Sequence, residues 1–169
     1  MSTTQSTFDV FRGKAYAGMP GDGSYQNVDG SQLVSGQLSF GEPASMGEKD
    51  RSIEAFDSTK PFAGIAVREF YMGDGAIGEE GNKPFDATDS RKWDVDTGVF
   101  GRWWVRASNP VKNGQKVTLT TDGKWAGGAV VGNFILEGAI FKSTGDDGDL
   151  VLVELTGGRG LTEIEAVAP

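Results

Sequence analysis

The sequence predicts an all-β protein, a compact barrel or sandwich of short antiparallel strands with an extended, loop-rich N-terminal arm. The 169 residues include 26 glycines and only 6 prolines, a balance that suits many turns and bulges between short strands. In several stretches apolar residues recur at every second position, which is the period of a strand with one buried face. The chain shows neither heptads nor a repeat of fixed length. It is long enough for one domain with a hydrophobic core.

Residues 1–60 are predicted to form the loop-rich arm, with one or two short strands. Glycine, serine and isolated apolar residues dominate this part, and only residues 33–40 alternate. We weigh two arrangements. The arm packs back on its own domain, or it crosses onto a neighbouring subunit, because such a segment alone buries too little apolar area to offset the entropy of ordering.

Residues 61–169 are predicted to form the β-domain. Its first strand begins near Ala63, and Ile65 and Val67 continue the alternation on the same side. Residues 72–97 follow as a long acidic insertion punctuated by glycines. A loop of that length in a compact domain usually has a function or is flexible.

The clearest strand pattern runs over residues 99–107. It places Trp103 on the buried side and Trp104 on the opposite side. A connector rich in asparagine, proline and glycine separates it from a second alternating stretch at residues 117–121. This pair of strands is the predicted centre of the domain.

Three further stretches complete the predicted domain. Residues 134–141 are predicted to form a strand, with Gly138 as a position for a bulge or a close backbone approach. Residues 150–155 are apolar on both faces except at Glu154, which places this strand near the centre of the sheet. Residues 161–167 form a weaker strand or a tail.

Two absent residue types exclude whole classes of chemistry. The chain contains no histidine and no cysteine. Without histidine, a Ser-His-Asp mechanism and the usual imidazole zinc site are impossible. Without cysteine, the chain can have no thiol nucleophile, no thiolate metal site and no disulfide framework.

Carboxylates and glycines supply the remaining chemical patterns. The acidic side chains of residues 72–97 could form an acid and base pair for glycoside hydrolysis, but they lie on a loop rather than on rigid strands. Asp94 with Asp96, or the turn at residues 144–149, offers oxygens for calcium, and neither has the EF-hand spacing. The G-x-G-x-x-G at residues 73–78 lacks a βαβ context. We predict no catalytic residue, no cofactor, no metal site and no enzymatic activity.

The charge and the hydropathy of the chain restrict its partners. With 24 acidic and 16 basic side chains the formal net charge is −8, which argues against a grip on the phosphates of nucleic acid. No run of about 18 apolar residues is present, and the N-terminus lacks the basic and apolar regions of a signal peptide. We expect a soluble protein made in the cytoplasm, with neither nucleic acid nor a membrane as a partner.

A partner surface is predicted on the outward side of residues 99–107. The alternation places Phe100, Arg102, Trp104 and Arg106 there, and a tryptophan between arginines is typical of protein interfaces. Two alternatives stay open: the insertion or the arm covers Trp104, or Trp104 stacks on a sugar. Secondary candidates are aromatic residues of the arm and of the insertion, namely Phe8, Phe11, Tyr16, Tyr25 and Trp93.

Three segments carry a family resemblance. They are AGIAVRE at residues 63–69, GRWWVRASNPVKNGQKVTLTTDGKW at residues 101–125, and ILEGAIFKSTGDDGDLVLVEL at residues 135–155. Their order of strands and turns resembles the small β-barrel-containing cement or decoration proteins of tailed bacteriophage capsids. It is a pattern of strands and turns and not a catalytic signature.

The resemblance implies a structural role in the virion. The protein would lie on the outer surface of the phage head and stabilise the contacts between capsomers of the major capsid protein. Its partners would be the major capsid protein and further copies of itself, as a dimer or trimer, and it would be made in the host cytoplasm. The alternatives are a carbohydrate-binding virion protein and a component of the tail or baseplate.

Overall fold

The computed structural model describes residues 15–68, 85–86 and 94–166. In these parts of the chain every regular element is a β-strand, and no helix there is long and apolar enough to cross a membrane. The strands are β1 Asn27–Ser35, β2 Gln37–Leu38, β3 Pro43–Met46, β4 Ser52–Ala55, β5 Phe62–Ala66, β6 Phe85–Asp86, β7 Asp94–Arg106, β8 Lys116–Leu119, β9 Trp125–Gly127, β10 Phe134–Phe141, β11 Leu150–Thr156 and β12 Leu161–Glu163. The predicted all-β class is therefore confirmed.

Five strands close into a small barrel. The pairing runs β1-β4-β3-β5-β7, and β7 then pairs with β1, so the circuit returns to its first strand. Only β1 and β4 are parallel; the other four pairs are antiparallel. The interior, called here the barrel core, is filled mainly by small and medium side chains. It comprises Val34, Leu38, Phe40, Ala44, Ile53, Ala63, Ala66 and Val95.

The other strands of the large sheet extend it from β7 through β11, β10 and β8 to β9, with β12 paired to β10. A parallel bridge between Ala107 and Trp125 brings β9 back beside the end of β7. These strands and β5 enclose a second cluster, called here the tryptophan core. Its largest members are Trp103, Trp125, Phe62 and Phe141. The predicted central position of β11 is confirmed, since it lies between β7 and β10.

Strand β7 belongs to both cores and begins earlier than the sequence predicts. The alternation indicates a start at Val99, whereas the strand begins at Asp94, so the last residues of the predicted insertion are part of the sheet. The inward positions here are Val95 and Thr97, both fully buried. Because Thr97 is polar and carboxylates alternate with these residues, the hydrophobic pattern of this half is weak.

Strand β5 separates the two cores and departs from simple alternation. The sequence pattern puts Ala63 on the same side as Ile65 and Val67, but Ala63 lies in the barrel core and the other two lie in the tryptophan core. The cause is a register shift opposite β3, where Gly64 and Phe62 pair with successive residues and Ala63 between them has no partner. A bulge turns the following side chains to the other face.

Four strands lie between residues 27 and 55, where the sequence predicts one or two. Their buried positions include Ser45 and Ser52 beside Ala44. The Ser45 hydroxyl accepts a hydrogen bond from the Asp57 amide at 2.9 Å and donates one to the Asp57 carbonyl at 3.1 Å. Small or hydrogen-bonded residues at buried positions produce no alternation of apolar and polar residues. A search for that alternation therefore does not find these strands. The division of the chain at residue 60 stays a prediction.

Candidate functional site

The second half of β7, residues 100–106, presents the predicted outward face. Trp103 and Val105 are fully buried, while Arg102 and Trp104 are half-buried. Phe100 and Arg106 at the two ends are exposed. The prediction that one tryptophan of the pair is core and the other points outward is confirmed.

The N-terminal segment, residues 16–21, lies along the edge of this half-strand. The Gly18 amide donates to the Trp104 carbonyl at 2.7 Å, and the Trp104 amide donates to the Met19 carbonyl at 2.9 Å. The Gly21 amide continues the pattern to the Arg102 carbonyl at 2.7 Å. Of the two arrangements weighed for the arm, these residues adopt the one that packs back on the chain itself.

Tyr16 takes part in the same packing. The guanidinium carbon of Arg68 lies 4.6 Å from the centre of the Tyr16 ring, within the range of a cation–π contact. The Arg68 amide also donates to the Gly18 carbonyl at 2.9 Å. Tyr16 is half-buried and serves to hold the arm.

A cluster of charged residues fastens the next turn of the arm to the sheet. Arg102 donates from Nε to Glu154 Oε2 and from a terminal nitrogen to Asp22 Oδ2, both at 2.7 Å. Lys142 Nζ lies 3.8 Å from the other oxygen of Glu154. Glu154 comes from β11 and Asp22 from the arm, so Arg102 joins two separate parts of the chain. The predicted contact residue Arg102 is thus held within the molecule.

Hydrogen bonds from Ser24 and Arg102 stabilise the ionised form of Asp22. The Ser24 hydroxyl donates to Asp22 Oδ1, and the Ser24 amide donates to the same oxygen at 2.9 Å. Together with Arg102 these donors lower the pKa of Asp22 from 3.8 to about 2. The two carboxylates beside Arg102 raise its pKa. The turn is therefore fastened at all pH values at which Asp22 is ionised.

An exposed aromatic pair lies where β1 begins. The rings of Tyr25 and Phe100 meet edge to face, with centroids 5.7 Å apart. The pairing of Asn27 with Phe100 brings β1 to this point of β7, so the arm turn held by Asp22 delivers Tyr25 to the end of the outward face. Tyr25 is 76% exposed and Phe100 is 36% exposed.

The aromatic pair forms one wall of an open cavity of about 250 Å³. Asn27, Val99, Gly157 and Arg159 complete the lining. Arg159 forms an ion pair with Asp29 at 3.3 Å. The cavity thus combines apolar ring surface with amide and guanidinium donors. The tyrosine, the phenylalanine and the lining of the cavity together are called here the Tyr25 surface.

Of the predicted contact residues, Phe100 and Tyr25 come together, whereas Arg102, Trp104 and Tyr16 lie in or beside the packing of the arm. Arg106 is exposed at the far end and donates to the Gly148 carbonyl at 2.6 Å. Trp93, Phe8 and Phe11 lie outside the described residues. No pattern in the sequence points to Asn27 or Arg159, because only the pairing of β1 with β7 and the turn before β12 place them beside Phe100.

The carboxylates weighed as calcium ligands have structural partners. Asp96 Oδ1 accepts a hydrogen bond from the Ser31 amide at 2.9 Å, and Asp149 Oδ2 accepts one from the Asp146 amide at 2.9 Å. Throughout the described ranges, no group of three or more acidic side chains is arranged to hold a metal ion. Asp96 on β7 thus holds the irregular part of β1 at Ser31, and Asp149 holds the turn before β11.

Comparison with known protein families identifies the chain. The model of the family described as "Structural cement protein (E217 gp24/Pam3 gp6)" matches residues 4–156, which is most of the sequence. The chain belongs to this family of phage cement proteins. The cement-protein resemblance seen in the sequence is confirmed. A search of the curated proteins finds no match.

One solved structure supports the fold of the cement protein. It is similar to a chain of "The capsid of Myoviridae Phage XM1", with a TM-score of 0.67, 17% sequence identity, and coverage of 92% of this chain and 99% of that chain. A second similar chain comes from "The crystal structure of head fiber gp8.5 N base in bacteriophage phi29", with a TM-score of 0.47, 13% identity, and coverage of 80% and 98%. At 17% identity the first of these supports the fold alone.

Family membership gives the cement protein a structural role that stabilises the phage capsid. It places the protein in the capsid of the virion and implies association with capsid proteins. The family is described as a structural one. The predicted function is therefore confirmed at this level.

Proposed function

We propose that this cement protein lies on the outer surface of the phage head and uses the Tyr25 surface to bind the major capsid protein where capsomers meet. The observation that carries the proposal is the exposed Tyr25–Phe100 pair beside an open cavity. Large aromatic side chains next to a polar rim are typical of the residues that dominate binding energy at protein interfaces.

The exposed ring of Tyr25 is the strongest single anchor in the Tyr25 surface. It is 76% exposed, so a partner that covers it removes most of an aromatic side chain from water. At the usual value per unit of apolar area, this burial is worth about 3 kcal/mol. Each copy contributes this much at one junction, and the many copies on one shell add their contributions to the resistance against rupture.

The ion-pair cluster supports the anchor by holding the turn that carries it. Gln26 Nε2 donates to the Asp22 carbonyl at 2.9 Å, while Asp22 is bound to Arg102. Gly101 allows the close approach, because a Cβ at that position would lie 2.9 Å from the Tyr25 carbonyl oxygen. A fixed anchor loses little conformational entropy on binding. Arg102 is thus a positioning residue for Tyr25.

We also propose four further properties of this cement protein. Copies associate as dimers or trimers, since capsid sites have two-fold or three-fold symmetry. The protein does not bind nucleic acid, because its net charge of −8 repels phosphates. It carries out no catalysis, and it is made in the host cytoplasm before it joins the shell.

Cosedimentation with shells of the major capsid protein from the same source tests the proposal. The wild-type protein is expected to saturate expanded shells at a fixed ratio of copies to capsid subunits, and to bind unexpanded shells more weakly. Tyr25→Ser is expected to weaken binding by about 100-fold, which corresponds to the burial of the ring.

Tyr25→Phe is the matched control, because it keeps the ring and loses only the hydroxyl. It is expected to bind within about threefold of the wild type. Equal binding of Tyr25→Ser and wild type would remove the Tyr25 surface from the interface. Absence of wild-type binding to either shell would contradict the outer-surface role and favour the tail or carbohydrate-binding alternatives.

A further inference from the structure

A second exposed apolar feature lies on the loop between β9 and β10. Val130 is 52% exposed and Val131 is 62% exposed. Among the large apolar side chains that the structure describes, only Tyr25 is more exposed than Val131. Residues 128–132 are called here the valine tip. Two adjacent exposed valines on one turn need an explanation, since single exposed apolar residues are normal and contiguous ones mark contact sites.

The valine tip is held in a defined conformation. Gly128 and Gly132 at its ends have φ of +90° and +87°, values that glycine adopts without strain. The Asn133 amide donates to the Val130 carbonyl at 3.0 Å, which closes the turn, and the Gly132 amide donates to the Ile164 carbonyl at 3.0 Å. The tip is therefore fastened both to itself and to the strand end after β12.

A fixed tip of β-branched residues is suited to act as an anchor. Valine has few side-chain rotamers, and the backbone of the turn is already ordered. Binding therefore costs less conformational entropy, so more of the apolar area that a partner covers contributes to the affinity. A loop that served only to connect two strands would have no need of exposed valines.

The surroundings of the valine tip are acidic. The two residues that flank Ile164 are Glu163 and Glu165, and both are exposed. No lysine or arginine occurs in residues 125–141 or 160–166. A partner that accepts the tip gains electrostatic complementarity from basic side chains around an apolar socket.

The tip is also separate from the Tyr25 surface. Arg159 of that surface precedes β12 and Ile164 beside the tip follows it, so the two residues lie at opposite ends of this strand. The two features are therefore independent contacts and not parts of one cluster of side chains.

We propose that the valine tip inserts into an apolar socket, rimmed by lysine or arginine, on a capsid protein subunit. The proposal rests on the outer-surface cement role and adds a second anchor to it. Each cement molecule then binds the shell through two contacts. Its affinity for the assembled shell therefore exceeds the affinity of either contact alone.

The double variant Val130→Ser with Val131→Ser tests this proposal in the cosedimentation assay. It is expected to lower the affinity for expanded shells by about 10-fold or more, because two half-exposed valines lose their burial. Its thermal unfolding midpoint should equal that of the wild type, since both side chains lie outside the cores. Asn113→Ser, in the exposed loop before β8, is the control, and its affinity should stay unchanged.

A second measurement uses the absence of cysteine in the chain. Val131→Cys can be labelled uniquely with an environment-sensitive fluorophore, whose emission should shift to the blue when shells are added. The same label at Asn113, in the exposed loop before β8, reports changes that are not specific to the tip. If the emission of the fluorophore at position 131 does not shift to the blue on saturated shells, the proposal is overturned.

The outcomes separate the valine tip from the cement role itself. If the wild type binds shells and the double variant binds equally well, the second anchor is wrong and the cement role stands. If the losses in Tyr25→Ser and in the double valine variant multiply when combined, the two contacts are independent, as proposed. A combined loss no larger than that of Tyr25→Ser alone would contradict the second anchor.

Discussion

The two cores of this cement protein are built on opposite principles. The tryptophan core is filled by large side chains, and Trp103 and Trp125 supply much of its volume. The barrel core is narrow and contains three alanines with a single aromatic residue, Phe40. The packing of the tryptophan core therefore depends on side-chain volume. The packing of the barrel core depends on how closely the backbones approach each other.

Gly64 on β5 shows how tight the barrel wall is. A Cβ at this position would lie 2.8 Å from the Gly98 carbonyl oxygen and 2.9 Å from Thr97 Cβ. The cores also touch each other, because the Trp125 indole nitrogen donates to the Gly41 carbonyl at 2.7 Å. Gly41 belongs to the connection between β2 and β3, so the large core supports the small one. Two kinds of substitution should therefore damage the two cores in different ways.

The largest expected effect is on the tryptophan core. Trp103→Ala is expected to lower the free energy of unfolding by about 3–5 kcal/mol, because Trp103 is fully buried and its removal leaves a cavity. Equilibrium unfolding in urea measures this loss. A loss below about 1 kcal/mol would show that the core collapses around the gap, and would contradict the view that side-chain volume holds this region together.

A smaller effect is expected from an added methyl group in the barrel wall. Gly64→Ala should destabilise the protein by about 1–3 kcal/mol, because the new Cβ meets backbone atoms that have little room to move. The matched control is Gly23→Ala, since nothing lies within 4 Å of a Cβ there. Equal stability of the two variants would show that the barrel has room at Gly64 and would weaken the contrast between the cores.

The smallest effect concerns the charged fastening of the arm, which belongs to neither core. Asp22 has a pKa of about 2 in the folded protein against 3.8 as its ordinary value. Its contribution to stability is therefore fully present above pH 3.8 and is lost as the pH falls through about 2. NMR titration of the Asp22 carboxyl carbon is expected to give a midpoint near a pH of about 2. Ser24→Ala should raise that midpoint, and an unchanged midpoint would show that the serine is not the main donor.

The contrast between the cores also explains what the sequence could predict. Large apolar residues mark β7 from Val99 onward, β10 and β11, and the structure has strands at these positions. Ala44, Ser45 and Ser52 are buried without a hydrophobic pattern, so β3 and β4 were missed. The shift of β5 at Gly64 was also missed, because a bulge changes which face a side chain occupies without changing composition.

Only part of the candidate site could be predicted from the sequence, because local patterns do not reveal which strands pair. The outward alternation identified Phe100, and composition alone suggested Tyr25 as a secondary candidate. Their contact depends on the pairing of Asn27 with Phe100, which no local pattern reveals. Arg102 was expected to face a partner, whereas its two carboxylate partners come from residues 80 and 52 positions away in the chain. The spacing of residues along the sequence does not predict such long-range ion pairs.

The central claim is that the Tyr25 surface of this cement protein faces the capsid from outside. Cryo-electron microscopy of expanded shells decorated with the wild-type protein tests it most directly. The account predicts density for the protein on the outer surface at a capsomer junction, with Tyr25 and Phe100 buried against the major capsid protein. Density on the inner surface of the shell, or an outer position in which the Tyr25–Phe100 pair points into solvent, would contradict it.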